Sequence, residues 1–192
     1  MATTNYVPAI LYGGAITCLL PSHFADVSNL RQVPDNQEVY LDTDGFTSIA
    51  VDILERVDKP DREALEWHLK DIVEEDVGEM KVWRLSEARL ANMPEGIPAY
   101  TLLATSPPSA KQRGRSNEPV FVGILLTLIR LVERKTDIVV AVNVPHVEGT
   151  YDPAEVDPQS GRHGKLVQSG MEYREKILES FEVKDWGLFV QE

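Results

Sequence analysis

VFVGILLTLIRLVERKTDIVVAVNV, residues 120–144, is the stretch whose reading decides the fold. Its first part, Val120 to Val132, is the most apolar run in the chain. It is shorter than the roughly 20 residues a membrane-spanning helix needs, and Arg130 interrupts it. The stretch reads instead as two core strands, Val120–Arg134 and Asp137–Val144, folded about the turn Arg134-Lys135-Thr136.

Working outward, Lys81–Leu90 and Ile97–Ala104 form a second pair of strands around Pro94-Glu95-Gly96, although the segment SEARL (86–90) also suits a helix. Ser48–Val57 is apolar on both faces near its middle and belongs inside the sheet. Glu38–Leu41 sets Val39 and Leu41 on an apolar face against Glu38, Tyr40 and Asp42 on a wet one. Ile10-Leu11-Tyr12 and Ala15–Leu20 flank Gly13-Gly14, a pair suited to the positive φ of a tight turn. Between these strands the pattern predicts a short helix over Asp26–Val33, capped by Asp26 and ended by Pro34.

Pro60–Val77 is the clearest helix. Pro60 suits its first turn, Asp61 and Glu63 its positive end, and Gly78 its stop. Leu65, Leu69, Ile72 and Val73 make its apolar stripe. A second amphipathic helix spans Lys165–Phe181, carrying Val167, Met171, Ile177, Leu178 and Phe181 on one side, and a tail over Trp186–Val190 packs back on the core. Loops fill 106–119 and 146–164, both read as mobile. Runs of antiparallel hairpins with one middle and one terminal helix give an α+β layered fold, read as a single domain over residues 1–192. The alternation of a parallel nucleotide-binding sheet is absent.

The 192 residues hold 19 Lys plus Arg against 31 Asp plus Glu, a net charge of −12. Such a surface lacks the cations to neutralise phosphates, so neither nucleic acid nor an anionic membrane is an expected partner. A basic protein is. One cysteine, Cys18, excludes an internal disulfide and fits a reducing compartment. The N-terminus, MATTNY, shows no basic-then-apolar pattern, so no secretory signal is expected.

Conventional catalytic motifs find no support. Gly161-Arg-His-Gly164-Lys165 is too short for a phosphate loop and has Leu166 where a magnesium-binding hydroxyl belongs. His23, His68, His146 and His163 show no metal-ligand spacing, and no metal or cofactor is expected. His68 lies beside the apolar stripe of its helix and reads as a packing residue, and Cys18 in its apolar strand reads as an inert small hydrophobe. Lys111, Arg113 and Arg115 form the one cationic cluster, read as a solvated loop.

The segment RQVPDNQEVYLD, residues 31–42, stands out. Val33-Pro34-Asp35-Asn36 reads as a turn with Pro34 at its second position. Asp35 and Glu38 then share the rim of the sheet, exposed and without a neighbouring lysine. Two readings stay open: a turn aspartate beside an ordinary surface glutamate, or an acidic recognition site.

Four blocks carry a resemblance: LYGGAIT at 11–17, RQVPDNQEV at 31–39, SIAVDILERVDK at 48–59 and GILLTLIRLVERKTDIVVAVNVP at 123–145. In them the chain resembles the Mog family, the Ran-binding guanine nucleotide release factors of nuclear transport. The resemblance implies an antiparallel sheet with helices on both faces, similar to the PsbP proteins of photosystem II. It implies binding to the small GTPase Ran, promotion of nucleotide release, and residence in nucleus and cytoplasm. The family's acidic pair falls on Asp35 and Glu38, with Arg31, Gln37 and Tyr40 expected to extend the contact. PPSAKQRGRSNEP (107–119) matches no family pattern, and the stretch between Leu41 and Thr47 is shorter than in some fungal members. Two other readings compete: a Ran-binding or client-stabilising module without exchange activity, and an enzyme using the groove of the sandwich. A monomer is the default for this length and charge.

Overall fold

A computed structural model describes residues 3–30, 33–74 and 78–189. The decisive stretch is the hairpin β8 (Pro119–Leu131) and β9 (Thr136–Val147), turning through Lys135 in the left-handed region. Around it lie β3 (Phe24–Asp26), β4 (Gln37–Asp42), β5 (Ser48–Glu55), β6 (Lys81–Ala88) and β7 (Ala99–Ser106). They form one antiparallel sheet in the order β3-β4-β5-β9-β8-β7-β6. β8 and β9 are buried almost throughout because both sheet faces are covered.

One face carries α1 (Asp61–Val73), which packs Ala64, Leu65, Leu69 and Val73 on Leu126, Leu128, Val139 and Ala141. The other carries α2 (Gly164–Ser180) and the hairpin of β1 (Tyr6–Leu11) and β2 (Ile16–Pro21), joined by β12 (Glu182–Val183). α2 sits close to the sheet because Gly170 lacks a side chain. A Cβ there would stand 3.0 Å from Leu125 Cδ1 and 3.1 Å from Val144 Cγ2. The expected α+β layering, with a helix on each face of an antiparallel sheet, is the observed one.

Several local expectations are corrected. No helix follows Asp26 in the described part of 26–33. Residues 24–26 form β3, and the Asp26 carboxylate accepts from Ser28 N at 2.9 Å in a local turn, competing with helix formation. α1 stops at Val73, where Glu74 takes φ +53°, rather than at Gly78, and 75–77 of the expected helix lie outside the described residues. SEARL is strand up to Ala88. The 146–164 loop holds a small ladder, β10 (Val156–Asp157) with β11 (Arg162–His163). Tyr40, placed on the wet face by alternation, is only 8 % exposed: the β1–β2 hairpin covers that face, while Val39 and Leu41 are half-exposed. The tail does pack back, with Phe189 buried and Val190 outside the described residues. Cys18 is buried, and burial pushes its thiol up to about 12, so it is inert.

Candidate functional site

The acidic segment forms a tight turn one residue later than its sequence suggests. Gln37 N donates to Pro34 O at 2.9 Å, so Pro34 opens the turn and Asp35 and Asn36 are its central residues. Asp35 is exposed at the tip. The turn is sewn to β5: Ile53 N donates to Asn36 O at 2.8 Å, and Asn36 Nδ2 donates to Ile53 O at 3.0 Å. A short turn bonded within itself and to β5 holds the Asp35 backbone in place and so lowers the ordering cost of binding.

Glu38, the second residue of β4, stands opposite Val51 on the face that meets the β1–β2 hairpin. There it is half-buried rather than exposed, because Tyr12 covers it. Tyr12 adopts φ +50°, costly for a bulky residue, which turns its N–H onto Glu38 Oε1 at 2.8 Å. Its hydroxyl lies 2.9 Å from Asn36 O and 2.6 Å from Val51 O, sharing one proton between them. One tyrosine therefore joins the Gly-Gly hairpin, the acidic turn and the sheet.

Burial raises the Glu38 pKa, the Tyr12 amide opposes the rise, and the charge of Asp26 adds to it. Burial likewise raises Tyr12, helped by the charges of Asp52 and Glu38, so the phenol stays a donor. Among the described residues no lysine or arginine comes within 4.0 Å of Asp35 or Glu38. What the arrangement offers is two carboxylates, one on a bonded turn and one held by Tyr12, without a cation partner among the described residues and suited to receiving cations from a partner rather than to acid–base chemistry.

Of the remaining expected residues, Gln37 faces the opposite side of the sheet, where its Nε2 donates to Asp52 Oδ1 at 2.8 Å. Tyr40 lies in the core beneath Glu38's face. Arg31 lies outside the described residues.

Behind Asp52 stands a cluster that the sequence reading passed over. Arg130 and Asp137, register partners in β8 and β9, are both fully buried. Arg130 Nε donates to Asp137 Oδ1 at 3.0 Å and Nη1 to Asp61 Oδ1 at 2.9 Å. Its Nη1 and Nη2 also donate to the carbonyls of Lys59 and Val57. His68 Nε2 meets Asp137 Oδ2 at 2.9 Å, so the histidine is a bonded core residue. The signal was legible: two opposite charges spaced symmetrically about the turn of an otherwise apolar hairpin must face each other. The network clamps the loop after β5 and the start of α1 to the sheet.

Removing the Tyr12 hydroxyl isolates its contribution. Tyr12→Phe keeps the ring and the amide bond to Glu38 but leaves the Val51 carbonyl without that donor. A loss of about 1–2 kcal/mol in denaturant stability is expected, and no change would mean the hydroxyl bonds do not tie the turn.

A family model described as Ran-interacting Mog1 protein matches residues 9–145, a span that takes in the acidic turn, β8 and most of the β1–β2 hairpin and of β9. The nuclear import protein MOG1 of Saccharomyces cerevisiae is 34 % identical over 191 residues, covering 93 % of this chain and 83 % of that protein. The human Ran guanine nucleotide release factor is 32 % identical over 168 residues, covering 82 % and 87 %. The crystal structure of the S. cerevisiae Ran-binding protein Mog1p superposes with a TM-score of 0.74 and 28 % identity, over 98 % of this chain and all of that one. Cyanobacterial PsbP from Synechocystis shares the fold alone, with a TM-score of 0.58 at 12 % identity over 95 % of each chain.

Proposed function

The chain belongs to the Ran-interacting Mog1 family, and from that premise we propose that it binds the small GTPase Ran and promotes release of its guanine nucleotide. In this reading it acts as a non-catalytic regulator of Ran in nucleocytoplasmic protein transport, present in nucleus and cytoplasm. The observation that carries the site assignment is the pair Asp35 and Glu38: Asp35 on a turn held by backbone bonds, Glu38 held by the Tyr12 amide, and neither with a lysine or arginine within 4.0 Å among the described residues.

A GTPase holds its nucleotide through a phosphate-binding loop, a lysine and magnesium. A partner that favours the loosened arrangement lowers nucleotide affinity by the same factor by which nucleotide lowers the partner's affinity. Asp35 and Glu38 supply that differential by pairing with basic Ran groups that are better exposed once nucleotide contacts relax. The net charge of −12 adds steering, so association slows as salt rises.

The test is a comparison of affinities. The chain is expected to bind Ran stripped of nucleotide more tightly than nucleotide-loaded Ran, with an association rate that falls steeply with ionic strength. Equal affinity for both forms would favour a Ran-binding module without exchange activity, since a ligand with no preference shifts nothing.

A further inference from the structure

α1 leaves part of its face of the sheet open. Its apolar stripe rests on β7, β8 and β9, through Leu102, Leu126 and Val139 among others. β4 and β5 continue the same face beyond it, and there Val39, Leu41, Ala50 and Asp52 are only half-buried. Helix and sheet therefore meet in a step, with β4–β5 as its floor and one flank of α1 as its wall.

The groups around Asp52 identify that flank. Burial raises the Asp52 pKa, the Gln37 bond opposes the rise, the charge of Asp71 adds to it and that of His68 opposes it. Asp71 and His68 both belong to α1, so the flank that carries them faces β5. Trp67 stands four residues before Asp71, on the same flank. Its ring meets the His68 ring edge-on at 5.2 Å, yet the residue is 43 % exposed. Asp71 is exposed too, and among the described residues no lysine or arginine lies within 4.0 Å of it or of Asp52. Gln37 joins the step to the acidic turn: its backbone N–H donates to Pro34 O, and its Nε2 to Asp52 Oδ1. An exposed indole beside carboxylates that lack cations suits a basic partner with an apolar centre. A second copy of this chain, also at −12, would bring like charge to it.

We infer that Trp67 and Asp71 of α1, with Asp52 and the open face of β4–β5, form a second contact surface for Ran, in which Trp67 is the apolar anchor. The inference rests on the Ran reading of the acidic turn and carries that interface around the rim to the other face of the sheet.

Association and dissociation rates of the whole chain with nucleotide-free Ran test this surface. Trp67→Ala is expected to weaken affinity about thirtyfold, chiefly through faster dissociation, as loss of a central aromatic anchor does. Asp71→Lys is expected to weaken it about tenfold through slower association, by an amount that shrinks as salt rises. Urea midpoints show whether either variant alters the fold, and Asp71→Lys reads the surface without removing packing from α1. Native affinity in both variants, while Asp35→Lys loses it, would confine the contact to the turn and overturn the inference. Unchanged Ran affinity with a smaller sedimenting mass for Trp67→Ala would give the face to a second copy and overturn it equally. Failure of the native chain to bind Ran would instead remove the reading of the acidic turn, and this surface with it.

Discussion

Replacing Asp137 by alanine is expected to cost the fold about 3–5 kcal/mol, measured as a fall in the urea midpoint at unchanged slope. The carboxylate is fully buried and accepts from Arg130, the Val57 amide and His68. Deleting it leaves the Arg130 guanidinium buried with only Asp61 and two carbonyls for company. A loss under about 1 kcal/mol, the ordinary range for exposed pairs, would mean the network is solvated. The same group sets an acid limit. Burial pushes its pKa up, but the bonds from His68, Val57 and Arg130 outweigh burial and hold it below the usual aspartate range. A lowered folded-state pKa contributes stability that is present above the unfolded value of about 3.9 and is lost as pH falls through the folded value. Stability should therefore drop more steeply below that pH in the native chain than in Asp137→Asn.

Reversing both carboxylates, Asp35→Lys with Glu38→Lys, is expected to weaken Ran binding more than about a hundredfold, because each close charge pair lost across an interface costs about 2–5 kcal/mol. The two positions differ in what else they do. Asp35 stands exposed at the turn tip, so its reversal leaves the fold untouched. Glu38 accepts the Tyr12 amide, and a lysine there faces a donor with another donor. Glu38→Gln retains the acceptor and removes only the charge, so it should lose affinity without losing stability. Because burial raises the Glu38 pKa, Ran affinity should begin to fall on acidification at a higher pH than for an exposed glutamate. Affinity that survives the double reversal would remove these residues from the interface.

The sheet was legible because its strands are long, apolar and punctuated. Gly13-Gly14, Pro94-Glu95-Gly96 and Arg134-Lys135-Thr136 each mark a turn that the structure keeps. Short, polar segments were harder. Asp26 suits a helix cap and a local turn equally, and β3's pairing with β4, a tertiary fact, decided between them. Tyr40 misled because a tyrosine reads as amphipathic, and its burial depends on a hairpin that packs from elsewhere in the chain. The acidic pair was visible as residue types, yet its rigidity was not. That rests on Tyr12, 26 residues from Glu38 in sequence, with a left-handed backbone that no local pattern demands of a tyrosine. Arg130 could have been paired with Asp137 from the turn alone, whereas the third member, His68, comes from a helix on another segment.

The central claim is that the fixed acidic turn drives loss of nucleotide from Ran. Release of a fluorescent GTP analogue from purified Ran, followed with this chain and with its Asp35→Lys/Glu38→Lys variant, tests it most directly. Accelerated release by the native chain that the variant loses is the expected result. An unchanged release rate in the presence of a complex, or equal acceleration by both proteins, would contradict it.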